Sequence, residues 1–188
     1  DGVRLSHAGQ SALNRKDDTE LTYGEVQFWP FQRTLEGAAA PRAGEVFVDL
    51  GSGTGRALLA ASLGFPSLAA CVGYEVVPHL HWAAERAAAS LEATAHAPIR
   101  LREADFLECA WEEEADIVWV SSLCMSRSTL EAVEERARSL KPGARVITMD
   151  RHFGTKCGEF EPQFLDGEPG RLVEMSFGDG TIYVLKRK

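Results

Sequence analysis

The segment Glu45-Val-Phe-Val-Asp-Leu-Gly-Ser-Gly-Thr-Gly-Arg56 predicts a strand, a glycine turn and the start of a helix. Val46 to Leu50 is a short, apolar, β-branched run, as expected of a buried strand. Three alternate glycines follow, and an Ala- and Leu-rich helical segment runs from Arg56 to Leu63. Because glycine tolerates positive φ and has no Cβ, a ligand can lie against the backbone where this strand ends.

The spacing of the glycines distinguishes between kinds of ligand site. A dinucleotide fingerprint requires Gly-x-Gly-x-x-Gly, and Arg56 stands where its third glycine would be. A phosphate-binding P-loop requires Lys followed by Ser or Thr after its last glycine, and Arg56 is followed by Ala57. What remains is Asp-x-Gly-x-Gly-x-Gly, from Asp49 to Gly55, which is typical of the first motif of class I S-adenosylmethionine-dependent methyltransferases. A plain glycine turn in another α/β domain stays open as the alternative.

Length and composition indicate one globular domain. The 188 residues are 45% apolar and 26% charged, and no apolar run is long enough to span a membrane. The net charge is −8, from 28 acidic and 20 basic side chains. Direct binding to nucleic acid usually requires a basic face, so this balance disfavours it. A basic protein or peptide suits the charge better as a partner.

The cysteines and the first residue bear on location. Cys71, Cys109, Cys124 and Cys157 are widely spaced, so we expect free thiols in a reducing compartment and neither a zinc site nor disulfides. The chain begins with Asp1 and shows no signal peptide. We interpret it as part of a longer protein and expect an intracellular location, cytoplasmic or nuclear.

Strand and helix patterns alternate through the middle of the chain. Further strands are predicted at Leu68–Glu75, Ile99–Ala104, Ala115–Val120 and Ala144–Met149. Pro78 opens a helix, and Ser128-x-x-Glu131 matches a capping box at the start of another. These alternating units predict an α/β fold with a mostly parallel sheet and helices on both faces.

The two ends of the chain depart from this alternation. Leu172–Phe177 and Thr181–Leu185 flank Gly178-Asp-Gly180, which indicates an antiparallel C-terminal hairpin. Residues 1–20 have no clear period and are interpreted as an arm or partial helix, and Gly37 to Gly44 as a connector. We therefore expect residues 1–44 to cover a core formed by residues 45–188.

Three acids fall at the carboxyl ends of predicted strands, where ligands of open α/β sheets bind. Glu75 can accept both ribose hydroxyls of a nucleoside-like ligand, because a carboxylate is a bidentate acceptor. Asp105 can accept the adenine amino group beside Phe106, and Asp49 would lie near a cationic methionine end. The alternative is that these acids are exposed turn residues.

Four short motifs occur in this order: Thr22-Tyr-Gly-Glu25, Asp49-Leu-Gly-Ser-Gly-Thr-Gly55, Gly73-Tyr-Glu75 and Asp105-Phe-Leu107. The series resembles the non-SET histone lysine methyltransferases, the family named for disruption of telomeric silencing. The resemblance implies a Rossmann-like sheet of seven strands whose last two form the hairpin. It also implies S-adenosylmethionine as cofactor, S-adenosylhomocysteine as product and a protein lysine as acceptor.

The motifs and the resemblance together give a set of candidate site residues. The predicted cofactor-binding residues are Tyr23, Gly24, Glu25, Asp49, Gly51, Ser52, Gly53, Gly55, Arg56, Glu75, Asp105, Phe106 and Ser121. By the resemblance, Tyr23 and Glu25 would close over the methionine end. The predicted catalytic residues are Tyr23, Ser121, Ser122 and Tyr183, of which the two serines would line a narrow lysine channel. A core position is the alternative for Tyr183.

The chain departs from the family pattern in three places. Ser121-Ser122 stand where the family usually has paired asparagines, Arg56 stands where it usually has glutamine, and no Lys-rich extension is present. Two alternatives therefore stay open. One is a methyltransferase that acts on a small molecule or a non-histone protein, and the other is a non-catalytic domain that binds the cofactor and a partner.

Histidines and tryptophans give further candidates. His79 and His81, two residues apart at a helix start, are expected at the surface or as caps, whereas His152 is a candidate for substrate contact. Three tryptophans are expected to be packing residues: Trp82, Trp111 and Trp119. Trp29 is instead a candidate for the border of the substrate entrance.

Overall fold

Strand β1 lies near the middle of one mixed sheet in the computed structural model, which describes residues 2–16, 18–91, 95–151, 153, 158–163, 167–168, 170–175 and 178–188. The strands are β1 (Val46–Leu50), β2 (Ala70–Glu75), β3 (Ile99–Glu103), β4 (Ile117–Val120), β5 (Arg145–Met149), β6 (Phe160–Gln163), β7 (Arg171–Met175) and β8 (Gly178–Arg187). The helices are α1 (Gly2–Ala12), α2 (Phe28–Thr34), α3 (Arg56–Gly64), α4 (Pro78–Ala89) and α5 (Arg127–Ala137).

The order of strands across the sheet is β3-β2-β1-β4-β5-β8-β6, with β7 also paired to β8. β1 to β5 are parallel, and β8 is antiparallel to β5. β7 pairs with residues 178–182 of β8 and β6 with residues 184–187, so eight strands occupy seven positions. The predicted α/β architecture is confirmed, and β6 is an addition to it. Between β1 and β4 the order reverses, and a crevice forms at such a point.

Alternate residues of the central strands enter two cores, one on each face of the sheet. Phe47 packs with side chains of α2 and α3, whereas Val48 packs with side chains of α5. Burial on both faces explains the uninterrupted apolar runs in these strands. Trp111 and Trp119 are buried as predicted, but Trp82 is 60% exposed. Trp82 lies outside the inward stripe of α4 and stacks on Arg86 instead.

The N-terminal segment is folded onto the core. α1 packs on α4, and Gly9 allows the approach because a Cβ there would lie 2.2 Å from Val77 Cγ1. The side-chain amide of Gln10 donates to the carbonyl of Leu21 at 2.7 Å and holds the next segment to α1. The surface prediction for His81 was wrong, since this residue is 7% exposed on the inward stripe of α4.

Several boundaries differ from the prediction for local physical reasons. The connector begins with a π-helical turn, Leu35–Ala39, that continues α2. The N-cap residue of α5 is Ser126, whose hydroxyl accepts from the amide of Thr129. It lies two residues before Ser128, where the sequence predicted the capping box. In the hairpin, Gly178 already pairs with Met175 within the ladder. A Cβ on Gly180 would lie 3.1 Å from Met149 Sδ, so the glycine at this position makes room for Met149. Gly180 does not turn the chain, because it lies within β8.

The cysteines that the structure describes form no disulfide with one another. Cys71, Cys109 and Cys124 are free thiols, and burial raises the pKa of Cys71 to about 12, with the nearby Asp49 carboxylate adding to it. Cys157 and His152 lie outside the described residues. Among the helices described, none combines the length and the apolar character needed to cross a bilayer.

Candidate active site

A cavity of about 350 Å³ opens at the carboxyl ends of the central parallel strands, where the sheet order reverses. The glycine turn forms one wall, and the segment that follows α1 lies against it. Every predicted cofactor-binding residue except Gly55 lines this cavity. The sequence patterns therefore indicated residues that the fold brings together from five separate stretches of chain.

The glycine turn gives the cavity a wall of bare backbone. Gly51 has φ of +86°, and no atom lies within 4 Å of the position of a Cβ on it. Gly53 has φ of +55°, and the ring of Tyr23 would lie 2.8 Å from its Cβ. Gly55 serves a different purpose: it is the left-handed N-cap residue of α3 and lets Ala84 approach to 3.1 Å from its Cβ position. Gly55 does not line the cavity, and its assignment to the cofactor stays a prediction.

Two carboxylates are buried at the strand ends beside this turn. Asp49 is 2% exposed and Glu75 is 6% exposed. Glu75 is held by backbone amides, because Oε2 accepts from Gly53 at 2.7 Å and Oε1 accepts from Val77 at 2.8 Å. Burial raises the pKa of Asp49 well above its usual range, and the charge of Glu75 raises it further. Burial also raises the pKa of Glu75, against the effect of the amide hydrogen bonds.

The Tyr-Gly-Glu loop is hydrogen-bonded to the residues that follow the glycine turn. The hydroxyls of Tyr23 and Thr54 are 2.8 Å apart, and both lie within hydrogen-bonding distance of Oε1 of Glu25. Arg56 Nε is 2.9 Å from Oε2 of Glu25. Burial and the hydrogen bond to Glu25 raise the pKa of Tyr23, so this phenol stays protonated. Arg56, where the family usually has glutamine, thus anchors the loop by an ion pair.

A third part of the wall lies beyond β3. Asp105 caps a short 3₁₀ turn, where its Oδ1 accepts from the amide of Leu107 at 2.8 Å. Phe106 is half-buried beside it. Both line the cavity, on the side of Glu75 that faces away from the Tyr-Gly-Glu loop. A planar apolar face and a carboxylate with spare lone pairs are suited to a heteroaromatic ring that carries an amino group.

The four predicted catalytic residues do not all reach the cavity. Tyr23 and Ser121 line it, whereas Ser122 and Tyr183 do not. Ser122 is fully buried, with its hydroxyl 2.6 Å from the carbonyl of Met149 and 3.2 Å from its amide. It therefore ties the end of β4 to β5. Tyr183 lies on β8 opposite Thr148, and its ring is 2.9 Å from the Cβ position of Gly170. Neither Ser122 nor Tyr183 reaches the cavity, so their channel roles stay predictions that no position in its wall supports.

Other lining residues were not found from the sequence. Apart from Glu20, which lies just before the Tyr-Gly-Glu loop, most of them are apolar or lie far from the motifs along the chain, among them Leu21, Val26, Trp119, Cys124, Met125, Thr129, Met149 and Met175. Glu20 carried one usable signal, since an acid precedes the Tyr-Gly-Glu loop. Nothing in the pattern separates Met149 or Met175 from ordinary core residues. Trp29, proposed for the entrance, is 69% exposed, packs edge-on against Phe28 and does not line the cavity.

Solved structures with a similar fold are methyltransferases in several cases. The magnesium protoporphyrin IX methyltransferase ChlM from Synechocystis PCC 6803 aligns over all of this chain and 98% of its own, at 15% identity and a TM-score of 0.62. The Escherichia coli protein YhhF aligns over 84% of this chain and 85% of its own, at 15% identity and a TM-score of 0.64. The tRNA m1G37 methyltransferase of M. jannaschii covers 84% of this chain, with 48% of its own, at 13% identity and a TM-score of 0.60. These likenesses define a Rossmann-like methyltransferase fold.

The chain belongs to the family described as Histone methylation protein DOT1, which it matches over residues 8–160. It is an S-adenosylmethionine-dependent methyltransferase, and S-adenosylmethionine is its cofactor. No curated protein sequence matches the chain.

Proposed function

We propose that the chain transfers the methyl group of S-adenosylmethionine to the side-chain amine of a lysine in a basic protein. One observation carries the proposal: Asp49 and Glu75 are buried at a glycine turn, in a chain of the histone methylation family. Neither carboxylate forms an ion pair with any residue that the structure describes. A cationic ligand would supply the missing positive charge, and the cofactor carries both an ammonium and a sulfonium.

Glu75 and Asp105 would hold the nucleoside half of the cofactor. Each carboxylate oxygen of Glu75 accepts one backbone amide and retains a further lone pair, so both oxygens stay available to ribose hydroxyls. The amide bonds also fix the orientation of the carboxylate before the ligand binds, which reduces the entropy cost of binding. Asp105 would accept from the adenine amino group beside Phe106, whose ring also lines the cavity.

Asp49, Gly51 and Tyr23 would hold the methionine half. The backbone at Gly51 has open space where a Cβ would stand, so a ligand can approach it closely. Asp49 lies at the end of β1 on the same wall, where its charge would favour the cationic group. Tyr23 lies across Gly53 and would exclude water from this end. The cofactor held there would supply an activated methyl group on a positively charged sulfur, and this sulfur would keep the bonding electron pair and become a neutral thioether.

The chain itself would position and desolvate the acceptor. Ser121, Trp119, Met149 and Met175 line the part of the cavity beyond Asp49. An apolar wall disfavours an ammonium group, so it would lower the pKa of a lysine and release its proton to water. The neutral nitrogen can then form the new carbon–nitrogen bond. Orientation of this kind contributes roughly 7–11 kcal/mol in well-aligned reactions.

The hairpin beside this part of the cavity favours a basic partner. Glu174 of β7 lies directly opposite Asp179 of β8, and both are exposed. Within the described part of the chain neither has an ion-pair partner, and like charges in such a pair repel each other. The neighbouring residues, Met175 and Gly180, contact the cavity and its Met149 wall. A lysine or arginine beside the target lysine would relieve this repulsion.

A small amine is the second candidate acceptor, and Ser121 is the observation that favours it. Serine is shorter than the asparagine that the family usually has in this region, and Ser122 is withdrawn into the core. The shorter side chain of Ser121 would leave more room at this entrance than a pair of asparagines. A wider entrance would admit acceptors other than an extended lysine side chain.

The test is incubation with methyl-labelled S-adenosylmethionine and a panel of acceptors. The panel contains histones, other basic proteins, lysine peptides and small amines, and the D49N variant serves as the control without a working cofactor site. Label in protein lysines, lost in D49N, supports the proposal. Label only in small amines moves the assignment to the second candidate. Tight cofactor binding with no label in any acceptor contradicts both and supports a non-catalytic domain.

A further inference from the structure

Glu20 joins two segments that lie far apart in the sequence. It belongs to a short 3₁₀ turn, Thr19–Leu21, between α1 and the Tyr-Gly-Glu loop. Its Oε1 accepts from the amide of Ser126 at 2.6 Å and from the hydroxyl of Thr129 at 2.9 Å. Ser126 and Thr129 form the start of α5. One carboxylate oxygen thus ties the N-terminal segment to a helix more than 100 residues later.

This hydrogen-bonded connection between Glu20 and α5 spans the cavity. α1 packs on α4, which follows β2, whereas α5 follows β4 on the other side of β1. The segment from Asp18 to Glu25 therefore crosses the carboxyl end of β1, and Glu20 and Thr129 both line the cavity beneath it. We call residues 18–25 the strap.

The strap has three attachments, and Glu20 provides the one on the α5 side. On the α1 side, Gln10 donates to the carbonyl of Leu21. At the glycine turn, Tyr23 and Glu25 bond to Thr54 and Arg56. At α5, the Glu20 carboxylate meets an unpaired backbone amide of the first helical turn, where negative charge is favoured. Hydrogen bonding by Ser126 lowers the pKa of Glu20, so this acceptor is ionised at neutral pH.

We propose that Glu20 is a positioning residue that latches the strap over the cofactor cavity and sets the rate at which S-adenosylhomocysteine leaves. A nucleoside held between strap and glycine turn would leave more easily when one attachment releases. At α5 both hydrogen bonds end on the one carboxylate of Glu20, so loss of that side chain would free the strap on the acceptor side. The inference rests on the cofactor and is independent of which amine accepts the methyl group.

The test measures S-adenosylhomocysteine dissociation by stopped-flow fluorescence, with Trp119 in the cavity wall as the reporter. E20A removes two hydrogen bonds to a charged group, and we expect the dissociation rate to rise about tenfold to a hundredfold. E20Q keeps an oxygen that can accept both bonds and should restore most of the wild-type rate. E131A, which removes an exposed acid of α5 that pairs with Arg127, is the matched control and should leave the rate unchanged.

A double-mutant cycle separates a latch from a general loss of stability. T129V removes one donor to Glu20, so its effect should largely disappear in the E20A background. Additive effects of E20A and T129V would overturn the proposal, as would a wild-type dissociation rate in E20A. So would an equal acceleration in E131A. If the wild type binds product but methylates no protein, only the lysine acceptor fails, since the dissociation rates remain measurable.

Discussion

The two sides of the cavity are built in different ways. On the cofactor side, backbone amides and two buried carboxylates form the wall, and Glu75 is fixed by the amides of Gly53 and Val77. On the side that we assign to the acceptor, the wall consists of side chains, and the exposed Glu174 precedes the lining residue Met175 and lies opposite Asp179. A wall of main chain has little freedom to vary without loss of the strand and turn. Side-chain walls can change with the substrate, so the cofactor is easier to identify than the acceptor.

The largest effect is expected at Glu75. E75Q removes the charge and one acceptor oxygen while it keeps the side-chain shape, so cofactor affinity should fall by about a hundredfold or more. Isothermal titration calorimetry with S-adenosylmethionine measures this. E103Q, at an exposed acid on neighbouring β3, is the control and should bind normally. Unchanged affinity in E75Q would remove Glu75 from the site.

The pH dependence of Asp49 comes next in size. Its pKa is raised in the folded protein, so its contribution to stability is fully present below about pH 3.8 and is lost as the pH rises through the folded value. The apo form of D49N, which cannot ionise at this position, should therefore lose less stability than the wild type between pH 5 and pH 8. Thermal unfolding at several pH values measures the difference.

The affinity for S-adenosylmethionine should change with pH in the opposite direction to the folding stability, again because of Asp49. A cation beside Asp49 favours the ionised carboxylate, so wild-type affinity should increase with pH, while D49N should bind weakly throughout. The pKa of Glu75 is also raised, so D49N should retain part of the increase of cofactor affinity with pH. A wild-type affinity that decreases with pH over this range would contradict the assignment.

The adjacent serines allow a comparison within one dipeptide. S122A leaves buried groups of Met149 without their partner and should cost about 1–3 kcal/mol of unfolding free energy. S121A should leave stability unchanged and alter the Michaelis constant for the acceptor. Chemical denaturation and steady-state kinetics separate the two effects. Equal stability losses would show that Ser121 is also structural.

Gly51 and Gly143 share a backbone conformation but not a location. Their φ values are +86° and +87°, and neither Cβ position has an atom within 4 Å. G51A and G143A should therefore lose similar unfolding free energy, on the order of 1 kcal/mol. Only G51A should also weaken cofactor binding, because its Cβ would project into the cavity. Equal affinities in the two variants would mean that no ligand approaches Gly51.

The smallest effect is expected at the hairpin. E174Q relieves the repulsion with Asp179 and should stabilise the fold by about 0.2–1 kcal/mol. It should also raise the Michaelis constant of a basic protein acceptor and weaken its salt dependence. E161Q, at an exposed acid of β6, is the control. A small-amine acceptor would show no change in either variant, which would favour the second candidate function.

Prediction from the sequence succeeded where one local pattern sufficed. Val46 to Arg56 specified strand, turn and helix, and acids at strand ends were placed at one cavity by the rule for open sheets. It failed where a residue serves a distant partner. Ser122 and Gly180 look like loop residues in the sequence, but one ties β4 to β5 and the other makes room for Met149. β6 was missed because its four residues, with Pro162 among them, give no alternating pattern.

The sequence by itself determined the parallel α/β core, the glycine turn and the cofactor, because each is indicated by short motifs that are recognisable one at a time. Only the tertiary structure decided which candidates reach the cavity: Ser121 lines it, whereas Ser122 begins a 3₁₀ turn after β4 and its buried hydroxyl donates to the carbonyl of Met149 on β5. It also decided that Glu20 crosses the cavity to α5, a contact that spans more than 100 residues. Such contacts arise from chain topology, for which local propensity carries no signal.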